Sequence, residues 1–296
     1  MFGNYKLNPA IINTMPAITP FIPKNILLMP NAAVQKAAQL ADCISSSLKR
    51  HAVAHCVFPY DYEHPTQVPQ IEGHDLLIVI GGDGTLLRAG HLCAPYDIPL
   101  LGVQAGRLGF LTELNEDCLE SGLTRLLSAN YRLENRMMLQ AELIENGGVQ
   151  QRWDVINETL ISRGREARPI EVRVDLNEGY MMSYIADGLI VATATGSTAY
   201  ALAAGGPILP PELRNMLVLP IAPHLSLDRA VVLAREFRRQ RIGERQTPEE
   251  RRIDSAAKPL VDRSADGGAE LQKGIEAVTE RTAEWLRVEN TALIDA

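Results

Sequence analysis

The run Asp75-Leu76-Leu77-Ile78-Val79-Ile80 passes directly into Gly81-Gly82-Asp83-Gly84-Thr85. An apolar segment cut off by glycines, with helix-like spacing from Thr85 to Leu92, predicts a buried strand that turns at once into a helix. The flanking segments agree with this. Ile26 to Met29 is a short apolar run closed by Pro30-Asn31, and Ala32 to Arg50 carries Ala37, Leu40, Ile44 and Leu48 on one helical face. Val53 to Phe58 and Pro99 to Val103 are two further strand candidates. Strands alternating with helices imply βαβ units and a parallel sheet. Ligands of such sheets sit beyond the carboxyl ends of the strands, where Gly81 to Thr85 falls.

The texture changes after about Asn135. Met138 to Ile144, Val149 to Ile161, Ile170 to Asp175 and Met181 to Ile185 are strand-like runs separated by Gly- or Asn-containing turns. A second, β-rich domain is expected there, holding a Gly/Ala/Thr/Ser-rich stretch from Asp187 to Pro207. From Arg235 onward 25 of 62 residues are charged, against 40 in the preceding 234, which marks a solvated tail. Thr247-Pro248-Glu249-Glu250 has the form of a helix start, and Leu271, Ile275, Val278 and Trp285 repeat at helical spacing, so helices are expected in the tail. The predicted fold class is therefore α/β plus β. An irregular arm (1–23) precedes a Rossmann-like parallel-sheet domain (24–135), a sandwich-like β-rich domain (136–234) and a charged, helical tail (235–296).

Several function classes are excluded by composition. Among 296 residues no window approaches the roughly 20 continuous apolar residues of a membrane span. A net charge of -7 gives no general attraction to nucleic acid or anionic lipid. Aromatic content of 5% argues against a base-stacking RNA platform. Cys43, Cys56, Cys93 and Cys118 are scattered without a CxxC pair, so neither structural zinc nor a disulfide scaffold is expected. Prolines at 9, 16, 20 and 23 interrupt any signal-peptide core. A soluble, cytoplasmic protein is expected, with no nucleic-acid or membrane partner.

The glycines of Gly81 to Thr85 let backbone amides approach an anion, and the helix start adds partial positive charge, so phosphate is the natural guest. The loop is neither a Walker A sequence nor a GxGxxG fingerprint. A plain strand–helix turn with Asp83 as a solvated residue accounts for the pentapeptide as well. If a ligand is bound, Asp83 repels phosphate unless a metal intervenes or the carboxylate faces an incoming hydroxyl as general base. Gly106-Arg107-Leu108-Gly109-Phe110 adds a second glycine-bearing loop at the same sheet edge. Asn157-Glu158 lies in an apolar strand context, where an amide and an acid are costly without partners. Asp187 to Pro207 supplies a buried strand, a hydroxyl-rich turn and a small-residue helix, a surface suited to a polar ligand, with Tyr200 placed to bound a base.

Together these segments resemble the NAD kinase family, bacterial branch. The matching elements are GGDGT at 81–85, GRLGF at 106–110, Asn157-Glu158 and DGLIVAT…TGSTAY…GGPI at 187–208, in family order between roughly Lys24 and Leu233. The resemblance implies transfer of the ATP γ-phosphoryl group to the 2′-hydroxyl of the adenosine ribose of NAD, with a divalent metal, Mg²⁺, and no metal ligand assigned. It makes Asp83 the proton acceptor and Gly81, Gly82, Gly84 and Thr85 the phosphate-binding residues. On the NAD side it implies Asp83, Gly84, Phe110, Asn157, Glu158, Asp187, Thr195, Thr198, Ala199, Tyr200, Ala201, Leu202 and Ala203, with Arg88 and Arg168 as basic contacts. Ala222 resembles a residue that reaches a neighbouring subunit's site, which implies a homodimer or homotetramer. Ala194 stands where the family usually has Pro, and Asp266-Gly267-Gly268 is all that resembles the family's later Asp-Gly-Gln turn. A lipid kinase sharing GGDGT, and a non-catalytic nucleotide-binding relative, are the alternatives.

Overall fold

The computed structural model describes residues 19–62, 67, 69–106, 109–145, 148–163, 168–176, 179–224, 228–233, 241–244 and 275–287. The first part contains β1 (Asn25–Pro30), α1 (Gln35–Arg50), β2 (Ala54–Val57), β3 (Leu76–Gly81), α2 (Asp83–Cys93), β4 (Leu100–Gln104) and α3 (Leu119–Leu127). Next come β5 (Arg132–Glu145), β6 (Gly148–Val155), β7 (Glu158–Ser162), β8 (Ile170–Leu176), β9 (Gly179–Ala186) and β10 (Gly188–Ala192). The remaining elements are α4 (Tyr200–Ala203), β11 (Met216–Ile221), β12 (Val231–Leu233), β13 (Arg241–Glu244) and β14 (Ile275–Arg287).

The strands form a seven-stranded sheet, β2-β1-β3-β4-β14-β5-β6, a four-stranded sheet, β12-β11-β10-β7, and a three-stranded sheet, β13-β8-β9. β1, β2, β3 and β4 pair in parallel, as their alternation with helices predicts. Their apolar runs are explained by burial on both faces. Ile26 and Leu28 pack with Leu40, Ile44 and Leu48 of α1, whereas Leu27 and Met29 pack with Leu86 and Ala89 of α2. The β-rich part is antiparallel, and its core gathers Leu139 of β5, Val172 of β8, Tyr184 of β9, Leu189 of β10 and Val218 of β11.

Three local features differ from the sequence expectations. The single run Val149 to Ile161 is broken at Ile156-Asn157 into β6 and β7, which enter different sheets. α3 was not anticipated, although Leu119, Leu123 and Leu126 carry its period; nine residues between polar turns leave a short signal. The helical tail is corrected: Ile275–Arg287 is a strand, paired antiparallel with β5 from Ile275↔Leu143 to Arg287↔Arg132 and touching β4 at Trp285↔Leu100. Ile275, Val278, Thr279 and Thr282 are β-branched, and the long ladder outweighs the helical spacing that the sequence displays. The expected helix start at 247–250, and Asp266 to Gly268, lie outside the described residues.

Candidate active site

The carboxyl end of β3 delivers Gly81 to the start of α2, and the Thr85 and Leu86 amides bond back to the Gly82 carbonyl at 2.9 and 3.1 Å. The helix therefore begins inside the glycine loop, and the amides before Thr85 are left without a partner inside the helix. Asn31, at the end of the adjacent β1, fixes this corner. Its Nδ2 donates to Thr85 Oγ1 at 3.0 Å, and its Oδ1 accepts the Ala33 amide at 3.0 Å. Sequence reasoning missed Asn31; its place beside Pro30 at a strand end was the available signal.

Asp83 joins the two glycine loops. Its carboxylate accepts the Phe110 amide at 2.8 Å and the Leu111 amide at 3.1 Å, one on each oxygen. Each oxygen keeps a lone pair for another donor. Gly109 is what allows the approach, because a Cβ there would fall on the Asp83 carboxylate. The Phe110 ring is 70% exposed, so the residue holds Asp83 through its backbone and leaves its ring at the surface.

Across the sheet edge, Ile156 belongs to the same buried cluster as Leu86 and Leu111, so Asn157-Glu158 leaves the core beside α2. His91, in the last turn of α2, adds a tie to β6, with its ring nitrogens 2.9 Å from the Leu87 carbonyl and 2.8 Å from the Asp154 carbonyl. The turn Thr195–Thr198 is seated on Asn157: the Thr193 amide donates to the Asn157 carbonyl at 2.8 Å, and Thr193 Oγ1 donates to the Ile156 carbonyl at 2.5 Å. A Cβ at Gly196 would fall on the Asn157 backbone.

The hydroxyls of this turn are used differently from the sequence picture of a ligand-facing surface. Thr193 Oγ1 also accepts the Gly196 amide at 2.9 Å, and Ser197 Oγ donates to the Ala194 carbonyl at 2.6 Å while accepting the Leu209 amide at 2.9 Å. Thr193 and Ser197 are fully buried, so they build the turn from within. Thr195 Oγ1 accepts from Arg136 Nη1 at 3.2 Å, and Thr198 Oγ1 donates to the Thr195 carbonyl at 3.2 Å. Arg136 was not anticipated, since nothing in its local pattern names a partner 59 residues away.

Of the remaining candidates, Ala199 and Tyr200 lead into α4, where Ala201 is buried while Tyr200, Leu202 and Ala203 are exposed. Asp187, between β9 and β10, forms an ion pair with Arg163 at 3.1 Å. Arg88 lies one helical turn beyond Gly84, and its Nε is buried with no hydrogen-bond partner among the described residues. Helical side chains lean toward the N-terminus, and from Arg88 the glycine loop lies in that direction. Arg168 is exposed, beyond the end of β7. Ala222 is exposed at the end of β11 with φ 45°, a conformation unusual for a residue with a Cβ.

Known proteins match both halves of the chain. Residues 26–131 match the ATP-NAD kinase N-terminal domain, and residues 156–275 match the ATP-NAD kinase C-terminal domain. A NAD kinase of Heliobacterium modesticaldum is 46% identical over 162 residues, 55% of this chain and 57% of that protein, so the chain spans little more than half that relative's length. A NAD kinase of Desulforamulus reducens is 35% identical over 229 residues, 75% of each chain. Among solved structures, yeast NADH kinase complexed with NADH superposes with TM-score 0.67 at 19% identity, covering 92% of this chain and 86% of that one. A NAD kinase of Archaeoglobus fulgidus in complex with ATP gives TM-score 0.66 at 22% identity, covering 90% and 94%. At these identities the two structures show a common fold. With two successive family domains in order, and 35% identity across three quarters of the Desulforamulus reducens protein, the chain belongs to the NAD kinase family.

Proposed function

We propose that this chain is a NAD kinase that moves the ATP γ-phosphoryl group to the 2′-hydroxyl of the adenosine ribose of NAD, producing NADP. The observation that carries this reading is Asp83, fixed by two backbone amides at the junction of the two glycine loops, within a chain matching both domains of the family. Asp83 is the proton acceptor: its two fixed oxygens each retain a lone pair for the ribose hydroxyl. The first-turn amides of α2 and Gly81 to Thr85 meet phosphate oxygens, and Arg88 adds positive charge from one turn further on. Asn157 and Glu158 hold NAD, with Phe110 and Tyr200 as walls, Thr198 to Ala203 along the adenosine and Thr195 as a further NAD-side residue. Asp187 contacts the nicotinamide side, and Arg168 is a further basic contact.

Among the described residues no three His, Cys, Asp or Glu side chains gather to hold a metal, and the glycine loop carries one carboxylate. That donor set suits a Mg²⁺ carried on the phosphates with its own waters, touching at most Asp83. Such an ion supplies charge neutralisation at the transferring group. No described helix is long and apolar enough to cross a membrane, and we place the enzyme in the cytoplasm. Ala222, exposed at the end of β11, is offered to a neighbouring subunit's site in a homodimer or homotetramer.

The test is NADP formation from NAD and Mg-ATP, read with an NADP-specific dehydrogenase. Turnover supports the reading. A folded protein that is stabilised by NAD without turnover is instead a non-catalytic relative, and phosphorylation of diacylglycerol in place of NAD would make it a lipid kinase.

A further inference from the structure

We propose that Arg136 is a positioning residue for NAD, acting through Thr195; this rests on the NAD kinase reading. Arg136 and Glu134 lie two apart on β5, on the same face as Met138, which packs in the cluster with Leu86 and Ala89 of α2. Both side chains are almost wholly buried, 3% and 4% exposed, and they form an ion pair. From this pair the guanidinium extends to Thr195, whose residue is also buried, and donates to its Oγ1 at 3.2 Å.

Stability does not explain the placement. A buried ion pair is often no better for stability than apolar residues of the same volume. Nor does the turn need Arg136 to close, because Thr193, Gly196, Ser197 and Leu209 already tie it to the backbone on both sides. What Arg136 adds is a charged bond between different sheets: β5 belongs to the seven-stranded sheet that carries the glycine loop, and Thr195 follows β10 of the four-stranded sheet. The planar guanidinium fork fixes direction as well as distance. Arg136 thus sets where the Thr195–Thr198 turn, which leads into the adenosine stretch Thr198 to Ala203, stands relative to the phosphate loop. Glu134 pairs with Arg136 and, at 3.8 Å, with Arg132, so the guanidinium's charge is met inside the protein, and the effect is geometric and falls on NAD binding.

The test is steady-state kinetics on Thr195→Val, Thr195→Ser, Arg136→Lys and the Val/Lys double variant, with melting temperatures. Thr195→Val keeps the shape and removes the accepting oxygen, and Arg136→Lys keeps the charge and removes the fork. Each is expected to raise KM for NAD about tenfold, the loss of one hydrogen bond to a charged donor. kcat and KM for Mg-ATP stay near wild type, Thr195→Ser restores KM, and the double variant is no worse than either single. A wild-type KM in Thr195→Val, a Ser variant as impaired as Val, or additive effects in the double would overturn the assignment. If Arg136→Lys does not fold, Glu134→Gln with Arg136→Gln replaces the pair by two amides without leaving a buried charge, and the cycle is run on that background. A chain that folds with neither makes Arg136 a folding residue and also overturns the proposal. Wild type that makes no NADP sinks the kinase reading itself; active wild type with an indifferent Thr195→Val sinks only this inference.

Discussion

Gly109 is the residue on which the state of Asp83 turns. Adding one methyl group there places it against the carboxylate, so Gly109→Ala displaces Asp83 from the Phe110 and Leu111 amides. The expected result is a fall in turnover of about 10²-fold or more, the range of a mispositioned general base, with little change in melting temperature. Thermal melts alongside kinetics check it, and full activity in Gly109→Ala would remove Asp83's fixed position from the mechanism. The strand–loop–helix corner that carries Asp83 was legible in the sequence, because an apolar run cut off by glycines on both sides of an acid has few structural uses other than a tight turn. Asn31 and Arg136 were not. Their partners are 54 and 59 residues away, and no local periodicity encodes such a meeting.

At the scale of elements, the turn after β10 behaves as a rigid insert seated on the start of β7. Gly196 touches the Asn157 backbone, which cannot swing aside as a flexible side chain would. Gly196→Ala is therefore expected to destabilise the fold by about 1–3 kcal/mol, the usual effect of overpacking, and to weaken NAD binding. Urea unfolding with calorimetric NAD titration measures both. The parallel strands β1, β3 and β4 were readable because burial on two faces leaves a continuous apolar run. β14 was not: its residues fit a helical period, and only the offered edge of β5 makes the extended form the better choice. The break between β6 and β7 was hidden for the same reason, since Ile156 continues an apolar run while Asn157 leaves for another sheet.

At the scale of the molecule, β14 is the strand that joins β4 to β5, and with it the parallel strands to β5 and β6. A chain ending at Leu233 exposes both of those edges. Loss of cooperative melting and the appearance of aggregates in size-exclusion chromatography are expected from it; a monodisperse, cooperatively melting truncation would contradict the role given to β14. The cluster under α2 has a separate signature. Burial pushes both the Tyr62 phenol and the Cys93 thiol up, so the folded chain holds these protons where the unfolded chain releases them. Their contribution to stability is complete below the unfolded thiol value of about 8.5 and declines as pH rises past it and past the phenol value of about 10. Denaturation midpoints are thus expected to fall above about pH 8.5, while Cys93 resists alkylation until the chain unfolds.

In the proposed mechanism Asp83 takes the proton from the ribose hydroxyl while the glycine loop holds the phosphates. The most direct measurement is transfer of label from γ-labelled ATP to NAD by wild type and by Asp83→Asn, with NAD affinity measured on both. Wild type is expected to yield labelled NADP, Asp83→Asn to lose about 10²–10⁴-fold of that transfer, and NAD affinity to change far less. Equal transfer by the two proteins, with affinity unchanged, would contradict it.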